Sequence, residues 1–336
     1  MPLPVNAERP IENLPSSHWG SRGRLDGAHR DPDRMRRLKA LYYGQITHVD
    51  DAIGKILVEL ERLGLADNTV IFFMSDHGEM MGDHGLSQKN CPYEASIRIP
   101  LLLRWPGRTA AGSVCKDPVD LTDILPTLIE ELDLPYFNPH SGPLPGASLL
   151  GKDGGGLRDT REFSFSDYHC GKDRWIAARS DRYKYALHAA DGGREELFDL
   201  YDDPNETRNL VAENPELASQ MRDRVLAWEK QYGLSESFDN GHFRTFPRPQ
   251  QVPTEDTCRR VHTNESPAPK RLPADEQDRL ETFAEAFTNA IAKEDTLSPE
   301  KLSLSMYKAM LGKKDPDKTG SESLVGTPWE EAFLKA

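Results

Sequence analysis

The residues best suited to chemistry in this 336-residue chain lie between positions 73 and 89. Asp76 and His77 follow, after Ser75, a short apolar run at residues 69–74, whose β-branched and aromatic composition predicts a strand buried on both faces. In open α/β sheets, ligands bind beside the carboxyl ends of the strands. A carboxylate next to an imidazole suits a divalent metal, and Gly78 allows close approach of the backbone. The pattern therefore predicts a metal site at Asp76 and His77.

Lys89 stands further along the same polar loop. Its ammonium group is placed to lie beside an anion bound at the metal, so the loop predicts a site for a tetrahedral oxyanion such as sulfate or phosphate. Asp-His pairs are nevertheless common in loops, and most of them bind no metal. Glu79 and Asp83 fit solvated carboxylates better than ligands, and His84 fits a histidine that stabilises the loop.

The elements around this loop indicate an α/β fold. Apolar residues recur at helical spacing from Met35 to Leu63, which predicts a helix of about 30 residues ended by Gly64. A second apolar run follows the loop at residues 97–105, and residues 120–132 predict a further helix. A helix, a buried strand, a second strand and a helix in this order indicate a sheet covered by helices.

Shorter elements downstream predict a second region. Strand candidates at residues 162–166, 175–179, 183–187 and 196–200 precede a helix at 215–232, which indicates a small antiparallel sheet with one helix. Residues 238–275 are rich in Pro, Thr and charge and fit a linker or surface wrap, and two helices follow them. We therefore expect a partial α/β domain at 1–150, a subdomain at 151–237, and a linker with a helical tail at 238–336.

Composition narrows the classes of partner. The chain has 42 basic and 55 acidic residues, and its net charge of −13 disfavours nucleic acid and anionic membranes, which are polyanions. A small anionic substrate stays compatible with this charge, because a local pocket can be positive. The sequence has no run of about 18 apolar residues, so we expect no membrane span.

Cysteines and the N-terminal residues give weaker indications. The four cysteines form no Cys-x-x-Cys pair, which favours reduced thiols over a zinc site or a disulfide framework. The first residues lack the basic and apolar segments of a signal peptide, so the compartment stays open. About 30 Pro-rich, polar residues precede the long helix. They are either a disordered leader or the continuation of something larger.

Several segments, taken in order, resemble the sulfatases of the alkaline phosphatase superfamily. Residues 69–79, with Asp76, His77 and Gly78, resemble the downstream metal motif of that family. The other similar segments are 42–54, 98–107, 120–128, 179–185, 196–204 and 206–210. The resemblance covers about residues 1–235. It implies an alkaline-phosphatase-like mixed sheet with flanking helices, plus a small C-terminal antiparallel sheet subdomain.

The resemblance also implies roles for individual residues. Asp76 and His77 would be metal ligands, with Ca²⁺ expected first and Mn²⁺ or Mg²⁺ as alternatives. Lys89 matches the lysine that contacts the sulfate group, so Lys89 and His77 are the expected catalytic residues. The implied reaction is metal-assisted hydrolysis of a small sulfate ester by a formylglycine nucleophile. The substrate itself is not indicated, and a core or surface role is favoured over a pocket role for Asp167, Tyr168, His169 and Trp175.

The chain also departs from the family pattern. The nucleophile of the family lies in Cys/Ser-x-Pro-x-Arg, and no cysteine or serine of this sequence stands in that motif. The upstream strand with paired aspartates, which supplies other metal ligands, is also absent from the sequence. We therefore expect the chain to correspond to the C-terminal portion of a sulfatase, with a missing N-terminal half or a homo-oligomer as its partner.

Three functions stay open at this point. The first is a sulfuric ester hydrolase that is incomplete as this chain. The second is a phosphodiester or phosphonate monoester hydrolase of the same superfamily, because a histidine after the aspartate is seen in the branch that contains such enzymes. The third is a non-catalytic scaffold or binding protein that keeps the architecture without the nucleophile.

Overall fold

The computed structural model of the protein describes residues 3–23, 28–134, 143–151 and 161–252. The two helices expected in the tail and most of the expected linker lie outside these residues. The chain forms two compact units, and residues 43–52 are the described part of the second unit. All other described residues belong to the first unit, which carries the candidate site.

Five α-helices occur in the described residues: α1 (Trp19–Gly23), α2 (Pro32–Arg62), α3 (Glu94–Ile97), α4 (Ile124–Leu132) and α5 (Pro215–Tyr232). Helix α2 confirms the predicted long helix. It begins with Pro32 at its first position, where a missing N–H costs nothing, and the Asp31 side chain accepts hydrogen bonds from the backbone N–H of Asp33 and Arg34. It ends before Gly64, whose φ of +69° glycine adopts without strain.

Strands β1 (Ile71–Met74) and β2 (Leu101–Arg104) pair antiparallel, with Ile71 opposite Arg104 and Met74 opposite Leu101. The prediction that β1 is buried on both faces is wrong, because its residues are half-buried or exposed. Phe73 and Met74 are 39% and 37% exposed. Strand β2 is the only strand paired with β1 in the described part of the chain.

A four-stranded antiparallel sheet forms the second region, in the order β3 (Ser164–Tyr168), β4 (Trp175–Arg179), β5 (Tyr183–His188) and β6 (Glu195–Asp199). Helix α5 packs on one face through Ala218, Met221 and Val225, against Ile176, Ala178, Tyr185, Leu187 and Leu197 of the sheet. The predicted antiparallel sheet with one helix is confirmed. Strand β3 begins two residues later than expected, and it is an edge strand because only β4 pairs with it.

The N-terminal segment, residues 3–23, packs against the rest of the first unit, which corrects the interpretation of it as a disordered leader. Leu14 and Trp19 are almost fully buried. They share a core with Met80, Leu86, Cys91, Tyr93, Phe198 and Leu200. Burial of large apolar side chains, each contributing roughly 1.5–3 kcal/mol, outweighs the polar composition of this segment.

Residues 238–252 lie where a linker or surface wrap is expected. They begin with a short hairpin of β7 (Phe238–Asp239) and β8 (His242–Phe243). Beyond it, the Phe246 N–H donates to the Ala189 carbonyl at 2.7 Å. This part of the stretch is therefore bound to the four-stranded sheet as a wrap. Helices combined with antiparallel sheets, one of them small and separate, give the α/β class that the sequence predicts.

Candidate functional site

The predicted ligand pair stands at the end of β1. The Asp76 side chain is 82% exposed and the His77 side chain 37% exposed. One carboxylate oxygen of Asp76, Oδ1, accepts the His77 backbone N–H at 2.9 Å. The other, Oδ2, lies 3.3 Å from Nε2 of the His77 ring. Backbone and side chain thus place one carboxylate oxygen and one ring nitrogen side by side.

The hydrogen bond on the other side of the His77 ring assigns its tautomer. Nδ1 lies 2.8 Å from the Gly78 carbonyl, which can only accept, so Nδ1 carries the proton. In the neutral ring, the lone pair of Nε2 then faces the Asp76 carboxylate. Two acceptors at this separation repel each other unless a cation or a proton lies between them. The donor set therefore fits a divalent metal, which would be held by Asp76 Oδ2 and His77 Nε2.

The pair supplies only part of a metal shell. Within the described residues, no three His, Cys, Asp or Glu side chains are grouped closely enough to hold a metal ion. Ca²⁺ takes six to eight oxygen ligands, so two protein ligands alone would hold it weakly.

Gly78 fixes the position of this pair by a close backbone contact. Its N–H donates to the Ser96 carbonyl at 2.7 Å. A Cβ at this position would meet the Ala95 carbonyl oxygen at 2.1 Å, far inside van der Waals contact. The loop after β1 can therefore approach α3 this closely only with glycine here.

Lys89 lines the same cavity as Asp76 and His77, and this cavity has a volume of about 550 Å³. Its backbone is held by Ser96 Oγ, which donates to the Lys89 carbonyl at 2.9 Å. The next carbonyl, of Asn90, accepts Trp175 Nε1–H at 3.2 Å. The structure thus brings together the three residues that the sequence selects, while their roles stay predictions.

The other charged residues of the loop have structural contacts. Glu79 Oε1 accepts the Gln88 backbone N–H at 2.5 Å, which ties the two ends of the loop together. His84 is buried and stacks on Tyr93 with ring centroids 3.9 Å apart. Burial raises the pKa of Asp83, and Lys39 opposes this. The predicted structural role of His84 is confirmed, and Glu79 serves the loop by a direct hydrogen bond.

Strand β3 forms another wall of the cavity, and here a sequence prediction is corrected in part. Trp175 belongs to a buried core cluster, as predicted, but it also lines the cavity together with Asp167 and Tyr168. Sequence reasoning missed the pairing that makes this possible, because the β3–β4 register sets Tyr168 opposite Trp175. Their rings stack with centroids 6.2 Å apart. His169 is absent from the lining but contacts Asp167, with Nε2 and Oδ2 2.5 Å apart.

Two arginines at the cavity carried no distinguishing signal in the sequence. Arg98 lines the cavity and is exposed. Arg179 also lines it, and its Nε lies 3.3 Å from Glu94 Oε1. The Arg179 guanidinium is therefore paired with a carboxylate. Arg98 lies near the start of a segment, residues 97–105, for which the sequence predicts only a strand.

Comparison with known proteins identifies the family. A family model described as Sulfatase matches residues 15–134, and one described as N-sulphoglucosamine sulphohydrolase, C-terminal, matches residues 82–231. Together they include Asp76, His77, Lys89 and the four-stranded sheet. The chain belongs to the sulfatase family. Sulfatases act on sulfate esters and generally use a divalent metal and formylglycine.

Individual relatives agree with this assignment. The chain is 38% identical over 188 residues to an arylsulfatase of Clostridium perfringens, covering 53% of this chain and 36% of the relative. It is 30% identical over 266 residues to the multifunctional alkaline phosphatase superfamily protein PehA of Trinickia caryophylli, covering 68% and 50%. The chain thus spans roughly a third to a half of the length of these curated relatives.

A solved structure shows the same fold. The structure of a 2-O GAG sulfatase is similar with a TM-score of 0.59 at 21% identity, covering 68% of this chain and 52% of that chain. Among the described residues, no helix combines the length and the apolar character needed to cross a membrane.

Proposed function

We propose that this cavity binds a sulfate ester and serves its metal-assisted hydrolysis. Lys89 would contact the sulfate group, and Asp76 and His77 would hold the metal. The observation that carries the proposal is that Asp76, His77 and Lys89 line one cavity in a chain of the sulfatase family. Family membership alone gives the reaction type, and the cavity supplies residues suited to it.

The residues of the chain have distinct parts in this proposal. The Lys89 ammonium would offset the negative charge of the sulfate oxygens. Further negative charge develops on the leaving-group oxygen as the ester bond breaks. The Gly78 carbonyl keeps the proton of His77 on Nδ1, so that Nε2 stays an electron-pair donor. A bound divalent metal would supply Lewis-acid polarisation of a sulfate oxygen. Ca²⁺ is the metal we expect first, since carboxylate oxygen is a hard ligand.

We further propose that this 336-residue chain is inactive by itself. The sequence contains no Cys/Ser-x-Pro-x-Arg motif, so no residue of it stands in the context of the family nucleophile. Only two metal ligands are placed together in the described residues. The chain should therefore bind Ca²⁺ weakly and turn over aryl sulfates negligibly. A polypeptide that carries the nucleophile is the partner that would complete the site.

A phosphodiester or phosphonate monoester is the second candidate substrate. The observation in its favour is the similarity to a multifunctional member of the alkaline phosphatase superfamily over 68% of this chain. Lys89 and a metal would serve a phosphoryl group by the same charges. A non-catalytic binding role is the third candidate, and the absent nucleophile motif favours it.

Ligand binding by the purified chain tests the proposal. In a buffer with millimolar Ca²⁺, we expect 4-nitrophenyl sulfate to bind, and Lys89→Met to weaken its binding about tenfold through loss of a charge-assisted hydrogen bond. Lys172→Met is the matched control, because Lys172 is exposed and lies outside the cavity lining.

The competing candidates give different results in the same titration. Tighter binding of 4-nitrophenyl phenylphosphonate than of the sulfate would favour the phosphonate substrate. Equal loss of binding in both lysine variants would overturn the role of Lys89. Robust release of 4-nitrophenol by the chain would overturn its proposed inactivity.

A further inference from the structure

The loop that leads to Lys89 is tightly turned. Between positions 81 and 88, five residues have positive φ angles in the left-handed region: Met81, Gly82, His84, Gly85 and Gln88. Gln88, at φ +63°, stands directly before Lys89. Residues other than glycine adopt this conformation only where surrounding contacts hold them in it. The backbone that presents Lys89 to the cavity therefore depends on the contacts of Gln88.

The carboxylate of Glu79 holds Gln88 in place. Its Oε1 accepts the Gln88 backbone N–H at 2.5 Å and the Met81 backbone N–H at 3.4 Å. The Met80 backbone N–H donates to the Gln88 carbonyl at 2.9 Å, so both backbone polar groups of Gln88 are bound. One carboxylate oxygen thus joins the first turn of the loop to the residue before Lys89.

Glu79 also adjoins the candidate metal pair. It directly follows Gly78, whose backbone N–H is bound to the Ser96 carbonyl. The Ser96 hydroxyl in turn donates to the Lys89 carbonyl at 2.9 Å. The segment with the two metal ligands and the segment with the lysine are therefore joined twice, once by Glu79 and once by Ser96. The bond to Glu79 is the stronger type, because its acceptor is ionised.

The Lys89 side chain gives its ammonium group no fixed direction of its own. Lys89 is half-buried, and no carboxylate lies within ion-pair distance of it among the residues that the structure describes. Its four-carbon stem is flexible, so the position of the ammonium group follows the position of the backbone. A displacement of about 1 Å is enough to weaken a contact with an anion that is held elsewhere.

We infer that Glu79 is a positioning residue for the sulfate contact: its carboxylate holds the Gln88 backbone so that the Lys89 ammonium faces an anion bound at the metal pair. Glu79 is not among the residues that line the cavity, so it acts through Lys89 and does not touch the substrate. This inference rests on the proposed function, because it takes Lys89 as the sulfate contact.

Amide hydrogen exchange of the full chain tests the anchor without a ligand. We expect the Gln88 N–H to be protected in the wild type and to exchange about tenfold faster in Glu79→Ala. Glu79→Gln should keep most of the protection, because an amide oxygen can still accept the bond. Equal exchange at Gln88 in all three proteins would overturn the inference.

Binding of 4-nitrophenyl sulfate in millimolar Ca²⁺ tests the consequence for the site. Glu79→Ala should weaken binding about fivefold to tenfold, because the ligand then has to order the backbone before Lys89. Glu79→Gln should bind within about threefold of the wild type. Glu79→Asp keeps the charge but is too short to reach Gln88, so it should weaken binding like Glu79→Ala. It replaces Glu79→Ala if that variant does not fold.

Asp203→Ala is the matched control. Asp203 Oδ2 accepts the Arg208 backbone N–H at 2.8 Å, in a turn whose residues do not line the cavity. Loss of this carboxylate removes the same kind of bond, yet the affinity for 4-nitrophenyl sulfate should stay within about twofold. An equal loss of affinity in Asp203→Ala and Glu79→Ala would show a general loss of structure and refute the positioning role.

A double-mutant cycle shows whether Glu79 acts through Lys89. In a Lys89→Met background, Glu79→Ala should cause no further loss of affinity beyond about twofold. If it causes its full loss there, Glu79 acts by another route and the inference is wrong.

The remaining outcomes separate the inference from the proposed function. If Lys89→Met weakens binding and a folded Glu79→Ala binds like the wild type, the sulfate site stands and the positioning role is refuted. If the wild type binds no 4-nitrophenyl sulfate, the proposed function fails and the positioning role fails with it.

Discussion

Two groups of charged residues in this chain have opposite surroundings. Glu196 is fully buried on β6, and its carboxylate contacts His188 Nε2 at 3.2 Å, Arg9 at 3.2 Å and Arg194 at 3.4 Å. The cavity group has far fewer contacts: Asp76 is 82% exposed, and its side-chain contacts are with the neighbouring His77. Charges that hold the fold together are satisfied by several partners, whereas the exposed Asp76 carboxylate keeps lone pairs for a ligand.

A second buried group follows the first pattern. Lys184 is almost completely buried and forms ion pairs with Glu206 and with Glu94. Burial raises the pKa of Glu206 to about 7, and Lys184 opposes this shift. Desolvating such charges costs several kcal/mol per ion, so they are tolerated only with complete partners. A charged side chain that lacks such ion-pair partners and lies at a cavity is better suited to binding a ligand than to stabilising the fold.

Removal of the Glu196 charge should have the largest effect. Burial alone would raise the pKa of Glu196, but His188 and the two arginines hold it well below its ordinary value. Glu196→Gln leaves Arg9 and Arg194 beside a neutral group, and we expect a loss of about 3–5 kcal/mol in the free energy of unfolding. Urea denaturation measures this loss.

An exposed ion pair provides the control for that variant. Glu59 and Arg62 pair one helical turn apart on α2, in full contact with solvent. Glu59→Gln should leave the urea midpoint unchanged within error, because water replaces the lost partner. Similar losses in both variants would contradict the distinction between buried and exposed charges.

Gly78→Ala should have an intermediate effect, on both the stability of the protein and the response of the candidate site to Ca²⁺. The added Cβ would meet the Ala95 carbonyl oxygen at 2.1 Å, so the loop that carries Asp76 and His77 must move. We expect a loss of about 1–3 kcal/mol in the free energy of unfolding and a weaker response to Ca²⁺. Gly54→Ala on α2 meets no atom within 4 Å, and it should stabilise the protein by about 0.5–1 kcal/mol. Equal effects of the two substitutions would contradict the close contact.

The smallest predicted effect depends on pH. Burial, together with His188, lowers the pKa of His18 well below its ordinary value, so His18 stays neutral in the folded protein. Below about pH 6.5 the unfolded chain binds a proton that the folded chain does not, and stability is lost as the pH falls.

A variant separates this contribution from other titrating groups such as Glu206. Between pH 7 and 5.5, wild type should lose about 1 kcal/mol more than His18→Phe in the free energy of unfolding. Parallel pH profiles for the two proteins would refute a buried neutral His18. Glu196 and Arg194 face His18 from β6 and its preceding loop, and Arg9 faces it from the N-terminal segment.

Local sequence patterns predicted the elements better than their surroundings. The spacing of apolar residues predicted β4, β5 and α5 to within about a residue and α2 to within about three, because period and capping are local properties. The burial of β1 was not predictable in the same way. Its composition matches a strand covered on both faces, yet Phe73 and Met74 are exposed in the described structure. Coverage depends on residues distant in the sequence.

The candidate site divides along the same line. Asp76, His77 and Lys89 stand close together in the sequence, and their types and spacing were enough to select them. Asp167 and Trp175 reach the cavity only through the register of β3 on β4 and the contact of Trp175 with the loop at Asn90. No spacing rule links residues 76 and 167. Their position after a strand was therefore enough to predict Asp76 and His77 as site residues. Only the fold showed that Asp167 and Trp175 line the same cavity.

The most direct measurement is a Ca²⁺ titration of the chain followed by the ¹⁵N resonances of the His77 imidazole. We expect a proton on Nδ1 throughout, as the Gly78 carbonyl requires. Added Ca²⁺ should shift Nε2 saturably at about millimolar concentration, and Asp76→Asn should abolish the shift. An Nε2 resonance that stays unchanged throughout the titration, or one that shifts equally in Asp76→Asn, would contradict a metal site at this pair.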